Sequence, residues 1–207
     1  MKLIIMLTTI VACVAYSVPA IGQAKVLNVR DYYLAIPSQY INADAKKRAS
    51  WIGHESTANG NLSFDIPVKE LTGEDGDGKA FGYVQVFKKK TGVVIGVATN
   101  MCEGGTCQGQ LLFLDYNAGK WKDVTSDHAP TLDNDEVRQI LKKAPAFENK
   151  DSLADGSEVP IHYNFGGNDK VMLAIAGGTH GDGGVVVKTF KWNGTAFVEF
   201  EYPESPE

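Results

Sequence analysis

The chain is short of the residues that most chemistry requires. Its 207 residues include three cysteines and four histidines. The histidines, His54, His128, His162 and His180, are too isolated from one another and from any cysteine pair to build a zinc site. There is no His-Glu-x-x-His helix for a zinc hydrolase, no Gly-x-Ser-x-Gly elbow for a serine hydrolase, and no Gly-x-Gly-x-x-Gly between strand and helix for a dinucleotide. No cofactor is expected. Positive charge is scarce as well, with 20 Lys plus Arg against 25 Asp plus Glu. The basic runs Lys46-Lys47-Arg48 and Lys88-Lys89-Lys90 read as solvated faces, which argues against a nucleic-acid partner.

Long apolar runs are missing with one exception, Leu3 to Ala15, which is too short to span a membrane. Lys2 before it and Gly22-Gln23-Ala24 after it complete the pattern of an export signal over residues 1–24. Cleavage is expected after Ala24, with Ala20 as a second site and a retained anchor as an alternative. A further rival is Ile10-Val11-Ala12-Cys13, which looks like a lipobox. In that case Cys13 is acylated, residues 14–24 become a tether, and the protein is lipid-anchored to the envelope. The first reading places the protein in the periplasm or outside the cell, with membrane contact only if Cys13 is lipidated. Losing Lys2 leaves a net charge of −6 instead of −5.

Without the leader only Cys102 and Cys107 remain, and in an oxidising compartment they are expected to pair. They flank Glu103-Gly104-Gly105-Thr106 between two strand-like runs, so the bond reads as a staple on a hairpin tip; a redox-active pair more usually takes the form Cys-x-x-Cys at a helix start.

Residues 26–53 carry two short helices separated by Pro37, and Leu62 to Ile66 alternates as a strand. From Phe81 the signal is β: Gly82 to Lys88, Val93 to Met101, Gln110 to Tyr116 and Lys120 to Val124, with links too short for anything but an antiparallel meander. A helix capped at Asp133 or Asn134 presents Val137, Ile140 and Leu141 and ends before Pro145. Strands return at Ile161 to Phe165, Lys170 to Ala176, Val185 to Trp192 and Ala196 to Tyr202, the last two joined by Asn193-Gly194. An offset of 76 residues lays Tyr116 on Trp192, Asn117 on Asn193 and Trp121 on Phe197, which suggests two related modules. The expected fold is α+β, mostly antiparallel β, with two meander sheets and accompanying helices: residues 25–130 as a first module, 131–202 as a second sharing one core with it, and 203–207 as a disordered tail.

Two loops attract attention. Gly177 to Gly184 holds His180 and Asp182, candidates for acid–base chemistry, although glycine and aspartate are also what a long hairpin loop needs. Glu74 to Gly78 holds Asp75 and Asp77, candidate calcium ligands whose spacing departs from a calcium-binding loop. His162, on the strand face opposite Ile161 and Tyr163, is read as solvated or hydrogen-bonded. Tyr116, Trp121, Trp192 and Phe197 read as core aromatics, with a ligand platform as the alternative.

The segment from Tyr32 to Thr125, with its paired helices, its Asn-Gly turn and strand, and the hairpin Cys102 to Cys107 leading into Leu112-Phe113-Leu114-Asp115-Tyr116, resembles uncharacterised exported bacterial proteins with a Cys-x4-Cys hairpin. That resemblance implies export and assigns no activity. The function expected is a non-catalytic binding module whose partner is an envelope protein, a glycan or a peptide. Two alternatives stand beside it: a hydrolase or metal-dependent enzyme centred on His180 and Asp182, and an inhibitor presenting Glu103 to Thr106.

Overall fold

The computed structural model describes residues 27–56, 60–72, 78–104, 106–145, 147, 153, 156, 158–166, 170–177 and 184–201. Two antiparallel sheets are formed. The first has six strands in chain order: β1 (Ile52–Ser56), β2 (Asn61–Ile66), β3 (Lys79–Lys88), β4 (Val93–Glu103), β5 (Thr106–Asn117) and β6 (Lys120–Asp123). The second has four, β7 (Ile161–Gly166), β8 (Val171–Ala176), β9 (Val185–Trp192) and β10 (Phe197–Glu199), again in chain order. Five helices accompany them among the described residues: α1 (Val29–Ala35), α2 (Ala45–Trp51), α3 (Val68–Thr72), α4 (Thr125–His128) and α5 (Asn134–Lys143). The fold is α+β and mostly antiparallel β.

Strand alternation divides the first sheet into two working faces. Leu62, Phe64, Ile66, Val84, Val86, Ile95, Val97 and Leu114 point one way and are covered by α1 and α2, through Val29, Tyr33, Ile36 and Trp51. Each helix starts on a side-chain cap. Asn28 Oδ1 accepts from Asp31 N at 2.8 Å while Asp31 returns the bond to Asn28 N at 3.1 Å, and Asp44 accepts from Lys47 N at 2.8 Å. Arg48, only 2% exposed, then ties the pair together. Its guanidinium donates to Leu34 O at 2.7 Å and Ile36 O at 2.6 Å, carbonyls that the end of α1 leaves without helical partners, and to Ala43 O at 2.9 Å just before the α2 cap. The Tyr33 ring lies between this cation, 5.9 Å away, and Phe64, stacked at 5.2 Å. Burial pushes the Tyr33 phenol well above its ordinary range.

The opposite face meets the second sheet. Phe87, Val94, Ala98 and Phe113 form one core with Phe165, Met172, Ala174, Phe190 and Trp192, and α5 adds Val137 and Leu141. The α5 cap is Asp133, whose carboxylate accepts from Asp135 N and Glu136 N, bonds that hold its pKa below the usual carboxylate range. The two sheets come together because the seam is cleared of side chains. A Cβ on Gly96 would sit 2.8 Å from Phe87, 2.9 Å from Phe165 and 3.0 Å from Phe113; one on Gly109 would sit 2.5 Å from Asn100 Oδ1 and 2.9 Å from His162 Cα.

Asn100 is the polar bond across that seam. Fully buried on β4, it accepts from Tyr163 N at 2.9 Å and donates to Tyr163 O at 2.8 Å, so one carboxamide occupies the outward backbone groups of edge strand β7. Trp192 Nε1 adds a second tie, to Lys88 O at 3.0 Å. Asn100→Ala strands a buried N–H and a buried C=O, and the unfolding free energy in urea is expected to drop by about 3 kcal/mol with an unchanged denaturant slope. A drop below about 0.5 kcal/mol would place the bridge among ordinary surface substitutions.

Candidate functional site

Among the described residues strand β7 packs mainly over β3, β4 and β5 and much less over β1 and β2. A step results, and in it lies a cleft of about 180 Å³ lined by His54, Asn61, Leu62, Ser63, Tyr83 and Phe165. Its floor is a row across three strands, His54 opposite Ser63 and Ser63 opposite Tyr83. Its wall is Phe165, from the edge strand of the other sheet.

The row exists because of an irregularity in β1. Ile52 pairs with Phe64, so a regular register would set His54 against Leu62, on the helix-covered face. The register slips between Ile52 and His54, and the extra residue, Gly53, brings His54 opposite Ser63 on the cleft face. On β2 the alternation of Leu62, Phe64 and Ile66 into the core leaves Ser63 and Asp65 facing the other way. A Cβ built on Gly53 would lie 3.4 Å from Asp65 Oδ2 and 3.8 Å from Ser63 Oγ, so the carboxylate and the hydroxyl converge on one point above β1. The Tyr83 phenol is raised above its ordinary range by burial and then by the nearby Asp65 charge.

Among the described residues no hydrogen bond joins His54, Ser63 and Tyr83. The size of the cleft is also informative. Pockets for whole small molecules usually span roughly 300–1,000 Å³. A space of about 180 Å³ suits one side chain or one ring.

The cysteine pair is joined. Cys102 and Cys107 face each other across β4 and β5 with Cα atoms 4.0 Å apart. Both are buried, at 6% and 0% exposure, against Phe81, with Tyr83 packed beside them. The Phe81 ring meets Tyr83 edge-on at 5.9 Å, so the bond braces one flank of the cleft. Glu103 and Thr106 beyond it are an exposed pair at the hairpin tip.

The remaining candidates divide. Cys13, Asp75, Asp77, His180 and Asp182 lie outside the described residues. Among the described residues no three His, Cys, Asp or Glu side chains are placed to hold a metal ion. The aromatics are packed rather than displayed. Trp192 and Phe197 belong to the seam core, with rings 5.3 Å apart, while Trp121 packs against the helix-side core and Tyr116 lies tilted against it at 4.7 Å and meets Tyr32 at 5.4 Å. His162 is not solvated: it is 9% exposed, its Nδ1 has no partner, and burial lowers its pKa. His128 sits in the seam between Phe113, at 6.0 Å, and Trp192, at 5.2 Å, with Nδ1 buried and without a partner. Burial lowers its pKa too, Lys89 adding to the effect and Asp127 and Asp115 opposing it.

Comparison of the chain with protein-family models, curated proteins and solved structures found no match. No helix among the described residues is long and apolar enough to cross a membrane.

Two outcomes follow for stability. Replacing both cysteines with alanine removes a very short loop constraint, and the loss expected from chain entropy is about 2 kcal/mol, read from urea unfolding. For pH, both imidazoles stay neutral in the folded protein to a lower pH than in the unfolded chain, where the pKa is about 6.5. The unfolded chain therefore takes up protons first, and stability present above that pH is lost as pH falls through it toward the folded values. Unfolding curves at pH 7 and pH 5 should show this loss in the wild type and much less of it in His128→Gln/His162→Gln; equal losses would contradict the assignment.

Proposed function

We propose that this is an exported, non-catalytic binding module that takes hold of a polypeptide partner in the cell envelope through the cleft between β1 and β7. The observation that carries the reading is the cleft's composition and size: a space for a single side chain, lined in part by aromatic rings, at the meeting of two edge strands. Edge strands are where extended segments add to sheets, and a neighbouring pocket then supplies specificity. Export is supported by the leader-like residues 1–24 and by the buried Cys102–Cys107 bond, which suits an oxidising compartment.

Affinity selection from a library of capped pentapeptides, followed by titration of the isotope-labelled protein with the selected peptides, tests this. Shifts are expected at the amides of His54, Ser63, Tyr83 and Phe165, and Ser63→Phe, which fills the cleft floor, should abolish them. Peptides that perturb only the hairpin tip at Glu103 and Thr106 would support the inhibitor reading instead. Turnover of a substrate that disappears on His180→Ala or Asp182→Ala would overturn the non-catalytic reading.

A further inference from the structure

The binding-module reading leaves open which side chain the cleft accepts, and the groups around it decide between classes. An aliphatic occupant needs only apolar walls. Here the floor includes Tyr83, the wall is Phe165, and the approach over β1 is flanked by a carboxylate, Asp65. Asp65 makes no ion pair with any described residue and is exposed, so its charge is available to an incoming group. Gly53 keeps that flank open, since any side chain there would project toward Asp65 Oδ2 and Ser63 Oγ. Aromatic faces and a carboxylate together favour a cation, and a flexible apolar stem carrying a terminal charge can lie across the aromatic rings while its head reaches the carboxylate beside β1. The chain's net negative charge, −5 with the leader and −6 without Lys2, favours the encounter with a basic segment.

We infer that the cleft selects a lysine or arginine side chain of an extended partner segment lying in the step between β1 and β7, with the stem against Tyr83 and Phe165 and the charged head at Asp65. This rests on the binding-module reading and specifies its partner. An acidic side chain is disfavoured by the same carboxylate. The charge contribution is partly screened because the site is open to water, so selectivity shrinks as salt rises.

The test uses the purified protein and capped pentapeptides with a fixed Thr/Val frame and a central residue of lysine, arginine, norleucine or glutamate. Norleucine keeps the lysine stem without its charge. Titrations followed at His54, Ser63, Tyr83 and Phe165 are expected to give about tenfold tighter binding for lysine and arginine than for norleucine, and weaker binding still for glutamate. Asp65→Asn, an exposed substitution that leaves the fold intact by circular dichroism, should bring lysine and norleucine to within about twofold of each other. Equal binding of lysine and norleucine by the wild type would overturn the charge selection and leave the cleft as the binding site. Retention of the full lysine preference in Asp65→Asn would overturn the assignment to that carboxylate. Absence of any shift at the cleft with all four peptides would overturn both this inference and the function on which it rests.

Discussion

The close approach of the two sheets at Gly96, Gly109 and Asn100 is the constraint from which the rest of the molecule follows. Two glycines remove the side chains that would hold the sheets apart, and one carboxamide satisfies the backbone groups of Tyr163 that the approach would otherwise bury without partners. Shape and polarity thus act together. Without the glycines the aromatic residues Phe87, Phe113 and Phe165 have no room to interlock, and without Asn100 the desolvated edge of β7 opposes the packing. The same arrangement fixes where β7 lies across β3, β4 and β5, and hence where it stops. The cleft lies beside it, in the step toward β1.

Position in the layered fold explains why the two faces of that sheet differ so much. The helix-covered face is continuous from β2 to β5, sealed by α1 and α2 and by the Arg48 guanidinium that joins them. The other face is shared between core and solvent. Residues on one strand therefore serve both purposes: Phe87 is fully buried in the seam, while Tyr83, two turns of the pleat earlier, borders the cleft. The disulfide belongs to this shared face as well, because Cys102 and Cys107 pack against Phe81, and Phe81 supports Tyr83.

Much of the architecture is legible in the chain, because period-two alternation and short turns leave few options for β4, β5, β8 and β9, and because Asp133 announces α5. Other features are not legible for identifiable reasons. Strand β1 escapes sequence reading since Gly53 ends a helical pattern and interrupts the strand that follows; α3 and α4 are too short to carry periodicity. The buried roles of Asn100 and Arg48 depend on backbone atoms far away in sequence, at Tyr163 in one case and Leu34 and Ile36 in the other. His162 reads as an outward-facing polar residue from strand parity alone, yet it is buried. The cleft is the least legible feature, since its lining comes from four strands and one of them enters from the opposite end of the chain. Ser63 and Asp65 do carry a local signal, as the polar half of the β2 alternation, but only the bulge at Gly53 shows what they face.

The central claim is that partner contact occurs in the step between β1 and β7 and not at the loops that attract attention in the sequence. Intermolecular nuclear Overhauser effects address it most directly, with labelled protein and an unlabelled lysine-centred peptide. The account predicts cross-peaks from the lysine methylenes to the ring protons of Tyr83 and Phe165. Cross-peaks confined to the Glu103–Thr106 tip, or none to either ring at saturating peptide, would contradict it.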